Sequence, residues 1–141
     1  YSNILHFHFH GHKRCLLFAP DQTPYMYKIP HALISREDID FDNPDYEKWP
    51  GLKNAHALVA DLKHGEMLYM PEGYWHYMKY VTPGFSMSLR AFPRSIGNLS
   101  KAAYNVFVMR HFDNMMRRWK GQNWIDYKNQ KAITDTNKNL R

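Results

Sequence analysis

Only one cysteine, Cys15, occurs in the 141 residues. No disulfide can close within the chain, and a reducing, cytoplasmic setting fits. No run of eighteen apolar residues exists, so no helical membrane span is expected. The chain opens Tyr1-Ser2-Asn3-Ile4 with neither a Met nor a basic-then-apolar leader, and it is read as a fragment of a longer protein. There is no internal repeat and no low-complexity tract. Cys15 reads as a small buried hydrophobe in a strand. Neither it nor Ser86 has a placed base beside it, which argues against a hydrolase.

Large rings are plentiful, at 16% aromatic, and supply material for a core. The net charge of +6 is uneven: residues 94–141 hold ten Lys and Arg against three Asp and Glu, while residues 1–93 hold nine against ten. A basic tail suits nucleic acid or an acidic partner. A solvated helix face is the plainer reading, and nucleic acid is not expected.

Residues 4–9 alternate, with His6, His8 and His10 on one side and Leu5, Phe7 and Phe9 on the other, the period of a strand. Gly11-His12 makes a turn and 13–18 a returning strand. Residues 20–53 hold five prolines and an acidic cluster. They read as a long ordered loop packed by Tyr25, Tyr27, Phe41, Tyr46 and Trp49. Four short strands are predicted at 55–62, 66–70, 75–81 and 85–92, separated by Gly and Pro turns, as in a sandwich or barrel. After Pro93 the period becomes helical. One apolar stripe runs through Leu99, Ala102, Ala103, Val106 and Met109. A second runs through Tyr104, Phe107, Val108, Phe112, Met115 and Trp119, so burial on two sides is expected. Gly121 is the predicted cap. A shorter helix over about 122–133 and a frayed polar tail from Thr134 should follow. The domain boundary is placed at 93/94.

The segment Gly65-Glu66-Met67-Leu68-Tyr69-Met70-Pro71-Glu72-Gly73-Tyr74-Trp75-His76 carries the most specific signal. A strand enters a tight turn where Pro71 fixes φ and Gly73 permits a positive one. The next strand then holds His76 at a fixed point. A neutral imidazole on a rigid strand suits a first-row metal; a satisfied interior histidine is the alternative.

That segment resembles the second conserved motif of cupins. Together with Gly11-His12-Lys13-Arg14 and Asp40-Phe41-Asp42-Asn43-Pro44-Asp45, it is similar to the JmjC/cupin-like oxygenases, in particular the asparaginyl hydroxylase of hypoxia-inducible factor and its bacterial relatives. The resemblance covers about two-thirds of the chain. It implies a partial double-stranded β-helix (cupin, jelly-roll) barrel, mainly β, with a C-terminal helical tail. It also implies Fe(II) and 2-oxoglutarate as cofactors, and hydroxylation of a protein or peptide side chain. His76 matches the distal iron-binding His. The family's His-x-Asp/Glu pair would lie upstream of Tyr1, so the fragment alone should bind iron weakly and be inactive. Lys13 matches the lysine that meets the distal 2-oxoglutarate carboxylate. Asn3 resembles a pocket Asn but sits one residue farther from the glycine, so a bulge is needed. Arg90 stands where the hypoxia-factor enzyme has an Asn; it could bind a carboxylate or point outward. His6 and His8 would line the pocket. Alternatively they form a ligand set with His76, although no Glu follows them as that arrangement wants. The tail helices would form a homodimer interface. Two other classes stay open: a non-catalytic cupin binding a metal or small acid, and an interaction module built on the basic helices.

Overall fold

The computed structural model describes residues 2–92 and 95–140, without the side chains of Asn98 and Ala102. The predicted boundary at Pro93 and Arg94 therefore lies outside the described residues. The chain forms two compact units, each drawn from two stretches. One comprises the residues up to Pro20 with His56–Leu99; the other comprises Asp21–Ala55 with the residues from Ser100.

The first unit is six strands: β1 (Asn3–His10), β2 (Lys13–Phe18), β3 (Leu58–Leu62), β4 (Met67–Met70), β5 (Trp75–Tyr80) and β6 (Phe85–Ala91). They make two three-stranded antiparallel sheets, ordered β4-β1-β6 and β3-β2-β5. Ile4 and Met70 of one sheet pack on Cys15 and Leu17 of the other. Of the sandwich or barrel that the spaced strands predict, the structure shows two facing antiparallel sheets; every expected strand is present, β1 one residue longer at each end and the others unchanged or shortened by at most three residues. Alternation puts Ile4, His6 and His8 inward. On the outer face Phe9 stacks on Phe85, and Met67, Tyr69, Met87 and Leu89 stay exposed.

In the second unit the predicted loop is not a separate covering. Tyr27, Ile39, Trp49 and Leu52 form a buried cluster, and Ile133 of the helical tail packs against it. The acidic residues shape the backbone: Asp40 and Asp45 accept from amides two and three residues on, as Asx turns do. Arg36 grips Asp38 through two bonds of 2.8 and 2.9 Å and donates to the Asn129 carbonyl. Its guanidinium holds the Asp38 carboxyl below the usual carboxylate range, against the effect of burial.

Three helices follow: α1 (Ile96–Tyr104), α2 (Arg110–Lys120) and α3 (Gln122–Lys138), with a π-helical turn at Asn105–Met109 joining the first two. Gly121 ends α2 at φ 55°, its amide bonded to the Arg117 carbonyl, as predicted. The tail beyond Thr134 is not frayed. α3 buries Trp124, Lys128, Ala132 and Thr136 at four-residue spacing, and Asn139 donates to the Pro24 carbonyl. The apolar stripes on the α1–α2 run stay exposed at Leu99, Val106, Phe107, Met115 and Trp119, while Met116 is buried. Burial on two sides is thus not what the fold shows. Among the described residues, no helix is long and apolar enough to cross a membrane.

Candidate functional site

The inward faces of the first unit change character along the strands. Next to the apolar cluster, β1 presents His6 and His8, and β6 presents Ser88 and Ser86 directly opposite them. On the other sheet Lys13 faces inward on β2 with Tyr80 beside it on β5, and Leu17 lies opposite His76 on the same face. Lys13, His6 and His8 are all buried, with Lys13 only 2% exposed.

Hydrogen bonding fixes the protonation of His6 and of one nitrogen of His8. The Lys13 ammonium donates to His6 Nε2 at 3.2 Å, so that nitrogen carries no proton. His6 is therefore neutral, and its Nδ1–H donates to Ser88 Oγ at 2.7 Å. Burial and the nearby Lys13 charge push the His6 pKa down, in agreement. On His8, Nε2 lies 2.9 Å from the Gly11 carbonyl, which can only accept, so Nε2 donates. Its Nδ1 lies 2.8 Å from Ser86 Oγ, from which a neutral ring accepts, and Ser86 Oγ accepts in turn from Lys13 at 3.3 Å. The Tyr80 ring lies 4.2 Å from the Lys13 nitrogen. No carboxylate among the described residues reaches this ammonium. A buried cation ordinarily has an anion beside it.

His76 follows the tight turn at Pro71. There Gly73, at φ 84°, adopts the left-handed conformation that a side chain would strain. The His76 side chain remains open to solvent. Protein atoms around the rest of the ring push its pKa down, a backbone bond at Tyr74 opposes this, and the Arg90 charge adds to it. A neutral, accessible imidazole is what metal ligation requires. Arg90 lies on the inward face, opposite Ile4 in the ladder. Cys15 is buried in the apolar cluster, its thiol pushed up to about 11 by burial against a small opposing effect of Lys13. It is inert packing, not a nucleophile.

Asn3 departs from its expected place. Parity along β1 sets it on the face opposite His6, where its Oδ1 accepts from Tyr69 Oη at 2.8 Å and the Glu72 amide at 3.1 Å. A ladder irregularity does exist, but it falls between His8 and His10, too late to turn Asn3 inward. The His6-His8-His76 ligand set also fails, because all four ring nitrogens of His6 and His8 are engaged. Among the described residues, no group of three His, Cys, Asp or Glu side chains could hold a metal. Ser86, Ser88 and Tyr80 were not expected at the site. The legible signal was a Ser-x-Ser strand able to pair with the His-x-His strand.

A family model described as a cupin-like domain matches residues 1–118. JmjC domain-containing protein D of Dictyostelium discoideum is 35% identical over 81 residues, 55% of this chain and 18% of that protein. HSPB1-associated protein 1 of Homo sapiens is 34% identical over 86 residues, covering 59% of the chain and 18% of that protein. tRNA wybutosine-synthesizing protein 5 of Gallus gallus is 32% identical over 82 residues, covering 58% and 24%. The chain thus spans about a fifth of the length of these relatives. With the match running through both sheets and the helices as far as Arg118, this chain belongs to the cupin-like domain family, on its JmjC-like side.

Proposed function

We propose that this chain is part of an iron(II)- and 2-oxoglutarate-dependent oxygenase domain, in which Lys13 receives the distal carboxylate of 2-oxoglutarate and His76 is one iron ligand. The observation that carries this reading is the buried Lys13 ammonium, held by neutral groups and lacking a carboxylate among the described residues. A ligand carboxylate supplies the missing charge. Lys13 and Leu17 are four residues apart on β2, so the ladder positions of Lys13 and His76 lie roughly 13 Å apart.

The residues fit the two groups unequally. The 2-oxoglutarate carboxylate has its cation. Iron has one donor here, His76, and a set of three protein ligands requires two more that are not among the described residues. When bound, iron and 2-oxoglutarate supply the oxidising power for C–H hydroxylation. This chain binds the cosubstrate's far end through Lys13, keeps water from it by burial, and offers a neutral imidazole. Arg90 adds positive charge beside His76 and is a second candidate for an anionic group. A protein or peptide side chain is the proposed substrate class. The exposed Phe107, Met115 and Trp119, with half-exposed Phe112, support self-association through α2.

In the full-length protein His76→Ala should abolish substrate-dependent succinate formation, and Lys13→Ala should weaken 2-oxoglutarate binding at least tenfold. Unchanged 2-oxoglutarate affinity in Lys13→Ala would reject the cosubstrate assignment and turn attention to Arg90. Binding of 2-oxoglutarate and a metal with no turnover on any peptide would favour the non-catalytic cupin.

A further inference from the structure

The bonds around Lys13 form a chain with one consistent direction of donation. Lys13 donates to His6 and to Ser86, His8 donates to the Gly11 carbonyl, His6 donates to Ser88 and, with His8 neutral, Ser86 donates to His8. An ammonium has three N–H groups. Two are taken by His6 Nε2 and Ser86 Oγ, and one remains. The Tyr80 ring face flanks the nitrogen, so the direction of the remaining N–H is restricted. A free lysine head would rotate among rotamers at an entropic cost on binding. Here the head is set by two acceptors that cannot themselves take up its charge.

We propose that Ser86, His6 and His8 are positioning residues that orient the Lys13 ammonium through opposite imidazole tautomers, leaving a single N–H for the ligand's carboxylate. His8 is the anchor of this relay. The Gly11 carbonyl requires a proton on Nε2, so a neutral His8 presents Nδ1 as an acceptor and turns the Ser86 hydroxyl toward it. The Ser86 lone pairs then face Lys13. Were the Ser86 hydroxyl turned the other way, its proton would meet the ammonium and the cradle would repel Lys13. His6 does the same from the other side: Ser88 takes the Nδ1 proton, so Nε2 presents a lone pair. The pairing His6↔Ser88 and His8↔Ser86 in the β1–β6 ladder builds both halves at once. The inference rests on the cosubstrate reading for the identity of the ligand, but not for the tautomers.

The test uses full-length protein labelled with 15N at histidine, with His6 and His8 assigned by single substitution. Long-range 1H–15N correlation should show His6 protonated at Nδ1 and His8 at Nε2, both neutral near pH 7.5. Calorimetric titration with 2-oxoglutarate should show Ser86→Ala weakening binding roughly tenfold, the scale of one hydrogen bond to a charged group. The same substitution should disturb the His8 ring signals. Ser86→Thr, which keeps the hydroxyl, should restore both affinity and signals. Matching tautomers on His6 and His8, a charged His6, or wild-type affinity in Ser86→Ala would overturn the relay. If the tautomers are as expected and wild-type protein takes no 2-oxoglutarate, the cosubstrate reading fails and the relay stands.

Discussion

Among the described residues two lysines are buried, one in each unit, and they are treated in opposite ways. Lys128, 7% exposed, has its nitrogen 2.6 Å from Asp113 Oδ1, and that same oxygen also accepts from Trp124 at 2.8 Å. Lys13, 2% exposed, meets an imidazole, a hydroxyl and a ring face among the described residues. The first is a closed unit: the charges cancel and α2 is tied to α3. The second has no counter-charge among the described residues. A buried charge of the second kind is the candidate for a functional group, and one of the first kind is accounted for by the fold.

The largest effect should come from opening the closed pair. Asp113→Ala strands the Lys128 ammonium and removes the Trp124 acceptor, and should cost about 3–5 kcal/mol in denaturant unfolding. A loss below about 1 kcal/mol would mean that Lys128 escapes to water, and the contrast between the lysines would collapse. Next comes Lys13→Met, which removes an unpaired charge and keeps the volume. It should leave the protein as stable or about 1 kcal/mol more so, while 2-oxoglutarate binding is lost. A clear destabilisation would show that Lys13 serves the fold.

The smallest effect separates the two by pH. The His6 pKa is lowered from 6.5 by burial and then by Lys13, so the unfolded chain takes up that proton first. Stability should decline as pH falls below about 6.5, where folded His6 resists protonation. Asp113 behaves differently. Burial raises its pKa, yet the bonds from Lys128 and Trp124 outweigh this and hold it below 3.8. Its contribution persists above that pH and is lost as pH falls further. Melting temperatures from pH 7.5 to 5 should fall in the wild type and stay flatter in His6→Asn, whose amide can replace both ring bonds. Equal slopes would remove His6 as the cause.

What could be read from the sequence followed the periodicities. Two-residue alternation located the first strand, Gly and Pro turns separated the other five, and the Pro71–Gly73 turn set off the strand that carries His76. Lys13 entered through the family resemblance, and the structure added its burial. Two things were hidden. Asn3 depended on strand parity, which a single bulge reverses, and no residue between Asn3 and His8 signals where the bulge falls. The ordered loop over 20–53 and its packing by Tyr27 and Trp49 were legible, but its partner in the helical tail was not. The buried stripe of α3 includes Lys128 and Thr136, which enter a core only because Asp113 and the tightly packed Gly51 receive them. The serine–histidine relay was obscured for a related reason: Ser86 and Ser88 acquire meaning only through the strand opposite them.

The π-helical turn at Asn105–Met109 has a consequence for how the helices are compared with those of relatives. A wide turn of this kind absorbs one extra residue without breaking the helix, and everything after it is displaced by about 100° of phase. Read with an unbroken period, Met115 and Trp119 fall nearly opposite Leu99 and Val106. Allowing for the inserted residue brings them toward the same side. A relative lacking one residue in this segment could keep the same surface with a plain α-helix, and an alignment gap placed there would mark an insertion that leaves the helix faces intact.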